Sequence, residues 1–251
     1  MYPVLFRIGS YDVTSFGLMV ALGAGLGVLL LRQELARRRL EVGAGTDAAL
    51  VGVLGGLAGA KALYVLEHLH EPLGETLLSR GGMSWFGGLA GGLVAGLIVI
   101  RWRRLPILGM LAAAAPAITL GQAVGRIGCF LVGDDYGRPT NLPWGIAFPE
   151  GLPPTLARVH PTQIYEAIAL FSFTWLLVRW RRSGVSDLDL FGRYLVLVSL
   201  TRLLIEVVRV NVRVALGLTV AQWFALGGMA VGAAILVLAR MHNARTAARS
   251  M

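Results

Sequence analysis

Seven apolar runs divide the chain, at roughly 14–31, 48–66, 86–100, 105–124, 162–178, 188–207 and 216–238. A helix needs about 20 mostly apolar residues to cross a bilayer, so each run predicts a spanning helix. The third is short and rich in glycine, which leaves its ends the least defined. Between the runs the chain is polar. The longest such stretch, 125–161, holds Pro139, Pro143, Pro149, Pro153 and Pro154, which break helix and turn the chain back over the helix ends. The pattern predicts an all-α integral membrane protein, a single polytopic domain over residues 1–251 with an outer loop at 125–161.

Basic residues set the orientation. Arg32, Arg37, Arg38 and Arg39 follow the first run, and Arg101, Arg103 and Arg104 the third. Arg179, Arg181 and Arg182 follow the fifth, and Arg240, Arg245 and Arg249 the seventh. These alternate segments hold 13 basic residues, 14 with Arg193, and leave nine for the other side and the membrane itself. Short loops rich in arginine stay in the cytoplasm. The N-terminus is therefore expected outside, the C-terminus inside, and 67–85, 125–161 and 208–215 facing outward. The first run lacks a small-residue cleavage site and reads as a retained helix.

Composition agrees. Of 251 residues 56% are hydrophobic and 15% charged, and the mean hydropathy is +0.69; a soluble domain carries about a quarter charged residues. The net charge of +9 comes from 22 arginines and one lysine dispersed over short loops, so nucleic acid is not an expected partner. One cysteine excludes an internal disulfide. The 33 glycines cluster at Gly23, Gly25 and Gly27, at Gly55, Gly56 and Gly59, and at Gly87, Gly88, Gly91 and Gly92, a spacing that lets membrane helices approach closely. No inverted repeat is visible and the ionisable groups gather toward one side, which speaks against a transporter.

Arg126 closes an apolar run where an unpaired charge is costly, and ionisable groups at that depth are functional candidates. Its planar fork suits phosphate or carboxylate, though an arginine at a helix end also snorkels to the interface. Arg202 and Glu206 lie four apart on one face of the sixth run. They fit a structural ion pair, or a head-group site in which Glu206 orients Arg202 or moves a proton; Arg209 continues that face. In HPTQIYEA, residues 160–167, Thr162 reads as an N-cap, with Tyr165 and Glu166 in the first turn. Cys129 reads as a small buried hydrophobe. Lys61 ends an apolar stretch and either snorkels or meets a phosphate. His68 and His70 lack the partners of a metal site, so no metal and no cofactor are expected.

The stretch GRIGCFLVGDDYGRPTNLPWG, residues 125–145, resembles the signature G-R-I-G-N-F-x-N-G-E-x-x-G-R-P-T-x-L-P-W-G of the prolipoprotein diacylglyceryl transferase family. PVLFRIGSYDVTSFGLMV at 3–20, GGMSWFGGLAGG at 81–92, HPTQIYEA and RLLIEVVR at 202–209 resemble further family segments in the same order. The resemblance covers nearly the whole chain and implies seven transmembrane helices in a bacterial plasma (inner) membrane, with the active site facing the outer leaflet. It also implies transfer of the diacylglyceryl group of phosphatidylglycerol to the lipobox cysteine of a prolipoprotein signal peptide, by a monomer working among membrane lipids. A thioether forms and glycerol-1-phosphate leaves. Arg126 then matches the arginine that binds the lipid phosphate, Arg202 and Glu206 the sixth-helix pair, and Gly137 the essential loop glycine. Asp134, Arg138, Cys129, Phe16, Phe86 and Tyr165 are expected beside the substrates.

The chain departs from the family pattern at positions that bear on the chemistry. Phe86 stands in place of a histidine that is a candidate thiol base, Cys129 in place of asparagine, Asp134 in place of glutamate, and Phe16 in place of tyrosine. Glu206, Asp134 or water then takes the thiol proton, or the chain is a divergent paralogue that binds lipid or lipoprotein with altered or no turnover.

Overall fold

The computed structural model describes residues 2–9, 11–78 and 82–249, with backbone alone at 11, 78 and 243–249. Ser10 and Gly81, which belong to two of the resembling segments, lie outside the described residues, as do the side chains of Arg245 and Arg249. Each apolar run forms a long helix: α1 Ser15–Arg37, α2 Val42–Glu67, α4 Trp85–Trp102, α5 Ile107–Val132, α6 Thr162–Arg182, α7 Asp187–Glu206 and α8 Val220–Arg249, with a short α3 at Leu73–Leu78. Among the described residues five of these, α1, α2, α4, α5 and α8, are long and apolar enough to cross a membrane. The protein is mainly helical, but not wholly. Three antiparallel hairpins sit between helices or before them: β1 Val4–Ile8 with β2 Tyr11–Thr14, β3 Ile146–Phe148 with β4 Thr155–Val159, and β5 Arg213–Ala215 with β6 Leu218–Thr219.

The expected boundaries shift where charge was taken as the end of a run. The first helix continues through Arg32 to Arg37, because Glu34 is fully buried and accepts a 2.9 Å hydrogen bond from Arg37 one turn on. The fourth apolar run does not stop at Val124. Nothing between Gly125 and Val132 breaks a helix, so Arg126 and Cys129 lie on α5 and the polar loop begins at Gly133. That glycine has φ 76°, the left-handed conformation of a residue just past a helix end, and its N–H bonds Cys129 O at 2.8 Å. Lys61 lies inside α2, not at its end, with its ammonium 5.4 Å from the Tyr64 ring centroid. The cap of α6 is Pro161 rather than Thr162.

Contacts within the chain group it into two compact units, Met1–Leu30 with Ala114–Met251, and Leu31–Ala113. In the second, α2 and α4 touch backbone to backbone. A Cβ on Gly59 or Gly87 would overlap the other's carbonyl oxygen, and the same holds one turn on for Gly91 against Gly55. Glu41 caps α2, accepting from the N–H groups of Gly43 and Ala44. In the first unit a Cβ on Gly23 of α1 would lie 2.8 Å from Gly121 O of α5. A Cβ on Gly192 of α7 would lie 3.0 Å from both Ile235 and Leu236 of α8. Thr219 and Gln222 form a reciprocal capping box at the start of α8, with bonds of 3.2 and 3.0 Å.

The α2–α4 seam therefore leaves no room for a methyl group. Gly87→Ala is expected to destabilise the detergent-solubilised protein by about 1–3 kcal/mol, the usual result of overpacking. Gly25→Ala, where the added carbon meets nothing within 4 Å, should be neutral or stabilising because alanine favours helix. Thermal unfolding followed by circular dichroism compares the two.

Candidate functional site

The end of α5, the start of α6 and the end of α7 bring their charges together. Arg126 Nε lies 3.0 Å from Glu166 Oε2 on α6, and Arg126 Nη1 donates to Asp135 Oδ2 at 2.7 Å. The other oxygen of Asp135 accepts from Arg209 Nη2. Arg209 Nε stands 3.9 Å from Glu206 Oε2, and the same oxygen is 3.0 Å from Arg202 Nη2. Glu206 Oε1 accepts from Asn211 Nδ2 at 2.6 Å. Three guanidinium groups and three carboxylates thus alternate in one chain, Glu166–Arg126–Asp135–Arg209–Glu206–Arg202. Charges taken out of water need such pairing; Glu206 and Arg209 are almost fully buried.

Local folding explains how the acids reach this position. Past Gly133 the chain turns sharply, and Asp135 takes φ 60°, a left-handed conformation that Asp tolerates better than most residues. The turn is held by α6, whose Gln163 Nε2 donates to Asp134 O and whose Thr162 Oγ1 donates to Asp135 O, the latter at 2.6 Å. Thr162 thus stitches the loop instead of capping its own helix. Gly137 sits where the loop crosses two other segments; a Cβ there would lie 2.6 Å from Val208 O and 2.9 Å from both His160 Cβ and Thr162 Cγ2. Only glycine fits.

The two adjacent acids have opposite environments. Burial raises the Asp135 carboxyl, but the guanidinium of Arg209 and then that of Arg126 outweigh it and hold the group below the ordinary carboxylate range. Asp134 is held above that range, first by burial and also by the charge of Asp135, against the pull of the Cys129 thiol and Arg126. Its Oδ1 is buried with no hydrogen-bond partner among the described residues.

Several other expected site residues lie in the same unit. Cys129 is buried on α5, its sulfur 3.8 Å from Arg126 Nη1. Phe16 packs on α5, since a Cβ on Gly128 would meet its Cδ2 at 3.3 Å. Tyr165 accepts from Trp144 Nε1 at 2.7 Å and faces His160 Nδ1 at 3.4 Å. The Arg138 side chain is exposed; its backbone N–H bonds Val208 O at 2.8 Å. Phe86 belongs to the unit 31–113, where it packs edge-on against Trp85. Reading the sequence assigned Glu166 to a helix start and gave Asp135 no role, yet both pair with Arg126. With α6 starting at Thr162, Glu166 falls beyond its first turn, too far along to serve the helix end.

Cys129, Asp134 and Asp135 offer ligand atoms within 4.8 Å of one another, a spacing a metal ion could use. Asp135 is already shared by two guanidinium groups, so a cation there would have to displace or neighbour two positive charges. Three guanidinium groups gathered in one place can accept an anion wherever a carboxylate gives way to it. Fixed guanidinium donors at a water boundary can hold a phosphate and neutralise the charge that grows on a departing oxygen.

Comparison with known proteins agrees with this chemistry. The family profile described as prolipoprotein diacylglyceryl transferase matches residues 3–238. A phosphatidylglycerol–prolipoprotein diacylglyceryl transferase of Trichormus variabilis is 35% identical over 246 residues, covering 92% of this chain and 87% of its own. One from Bordetella bronchiseptica is 34% identical over 257 residues, 93% of each chain. One from Clostridium tetani is 32% identical over 213 residues, 83% of this chain and 86% of its own.

The contrast between the two acids gives stability effects of opposite sign. Asp135, whose folded value is lowered, contributes stability that is present above the ordinary carboxylate value of about 4. That contribution is lost as pH falls through its lower folded value. Asp134, whose folded value is raised, costs stability once ionised above that value. At neutral pH Asp135→Asn should lower the melting temperature and Asp134→Asn should hold or raise it. The difference should shrink in acid, as melting curves across pH would register.

Proposed function

We propose, from the premise that the chain belongs to the prolipoprotein diacylglyceryl transferase family, that it moves the diacylglyceryl group of phosphatidylglycerol onto the lipobox cysteine of a prolipoprotein. It is a transferase of lipoprotein biosynthesis embedded in a membrane. The sulfur attacks the glycerol carbon that carries the phosphate oxygen. A carbon–sulfur bond forms, the carbon–oxygen bond breaks, the thiol proton passes to a base, and glycerol-1-phosphate leaves with the bonding electrons on its oxygen.

The observation that carries this reading is the alternating chain of charges at the ends of α5, α6 and α7. Arg126 and Arg202 bind the phosphate and offset the charge that develops as it departs, which needs no metal or cofactor. Glu206, gripped by Arg202, Arg209 and Asn211, orients Arg202. Asp134 serves as the base: its carboxyl is held above the ordinary range and Oδ1 has no donor. A base whose pKa lies nearer the working pH takes a proton more readily. Asp134 thereby replaces the base that Phe86 does not supply. Cys129, Phe16 and Tyr165 line the path of the substrates, while Gly137 and the backbone of Arg138 hold the loop against the end of α7.

The chain works as one polytopic domain and as a monomer, with seven spans formed by α1, α2, α4, α5, α6, α7 and α8. Alternation through seven spans puts the end of α5, the start of α6 and the end of α7 on one side, as the ion-pair chain requires. The arginine-rich segments after α1, α4, α6 and α8 put that side outward, facing the outer leaflet of a bacterial plasma membrane. On α6 and α7 the charges are shielded by pairing, Glu166 with Arg126 and Glu206 with Arg202, which is how two less apolar helices sit in a bilayer.

Complementation tests the reading. In a bacterium depleted of its own diacylglyceryl transferase the native gene should restore growth and thioether-lipidated prolipoprotein. Arg126→Ala should lower turnover about 10²-fold or more and fail to complement; Glu206→Gln should be similarly impaired. A silent native gene with no lipidated product would refute the assignment. In the purified protein, activity should fall as pH drops through the raised Asp134 value, and Asp134→Asn should lose activity across the range. An unchanged acid limb in that variant would exclude Asp134 as the base.

A further inference from the structure

Asp135 occupies the place where two guanidinium groups converge on one anion. Its two oxygens are divided between Arg126, at 2.7 Å, and Arg209. Its carboxylate nevertheless stays open to solvent, with 40% of the side chain exposed, while Arg126 is 22% and Arg209 7% exposed. The arginines are walled in and the acid is not. Its backbone is held apart from its side chain: α6 bonds the carbonyl oxygens of residues 134 and 135, and the residue is in a left-handed conformation at φ 60°. The carboxylate can therefore rotate out of the site while the loop stays in place. Position 135 falls where the family signature leaves the residue open.

We propose that Asp135 is an internal counter-anion that competes with phosphate for the pair Arg126 and Arg209. With the acid in place the six-membered chain of charges sums to zero. The monoanionic phosphodiester of the lipid must displace the carboxylate to reach the guanidinium groups. The glycerol phosphate released afterwards carries up to two negative charges, and would bind tightly to two arginines left with only Glu166 and Glu206 opposite them. Return of the Asp135 carboxylate supplies the repulsion and the replacement ligand that drive it off. Asp135 is thus a specificity-determining residue that weakens phosphate binding in exchange for product release. This rests on the reading that Arg126 binds the lipid phosphate.

The test uses full-length protein in detergent micelles with phosphatidylglycerol and a lipobox peptide. Two variants are compared with the native chain: Asp135→Asn, which removes the charge and keeps the shape, and Asp135→Gly, which also suits φ 60° and removes the risk of strain. Expected in both are a KM for phosphatidylglycerol lowered about 3- to 10-fold and inhibition by glycerol-1-phosphate strengthened about 10-fold or more, roughly 1.4 kcal/mol per tenfold. A merely structural brace would raise KM or leave it unchanged. Unchanged or weaker product inhibition in both variants overturns the proposal, whatever happens to kcat. If the native chain turns over no substrate, the transferase reading fails by itself. Glycerol-1-phosphate binding by calorimetry then still decides the matter: tighter binding to the variants upholds the counter-anion, and equal or weaker binding removes it.

Discussion

Pairing of buried charge is the constraint on which the functional half of this protein depends. Three guanidinium groups and three carboxylates are drawn together where apolar helices end. Any one of them alone would be costly to desolvate. Because they alternate, each charge meets an opposite one, and the set can lie at the margin of hydrocarbon with no net charge. The helices that contribute to it are held to a common level: the last turns of α5 and α7 and the second turn of α6 must coincide. The loop after Val132 is shaped by the same need, with the side chains of Thr162 and Gln163 securing the backbone that carries its two acids.

Elsewhere the fold relies on contact instead of charge. Lipid tails and helix surfaces are alike apolar, so close packing of small residues has to hold helices together. The α2–α4 seam is the extreme case, with glycine facing glycine over successive turns. Phe148 plays a comparable part in the loop. It is completely buried between Tyr136, stacked at 5.4 Å, and Phe130, edge-on at 5.8 Å. This gives a proline-rich segment a small core of its own.

The seven long helices were legible as apolar runs, and five of them are long and apolar enough to cross a membrane. Their ends were not. Arg32, Arg37 and Arg126 looked like terminators, but charged residues continue a helix wherever a partner such as Glu34, Asp135 or Glu166 absorbs the charge. The Arg202–Glu206 pair was readable from its four-residue spacing. The pairing of Arg126 with Glu166 and of Arg209 with Asp135 spans 40 and 74 residues of sequence, and nothing local announces it. The hairpins were missed for a different reason. Strands of two to five residues leave too short an alternation to stand out beside runs of twenty apolar side chains.

One seam bears on how a long, two-tailed molecule reaches the charges. The N–H of Arg138 bonds Val208 O, and Gly137 bridges Arg209 in antiparallel fashion, while Gly137 packs so closely that no side chain fits between. Loop and α7 end are stitched there by main chain, a join that rotating side chains cannot unfasten. A bulky guest cannot slip through that flank without tearing it, so its doorway has to be on another side, and widening that doorway would carry the loop and the tip of α7 along as one piece.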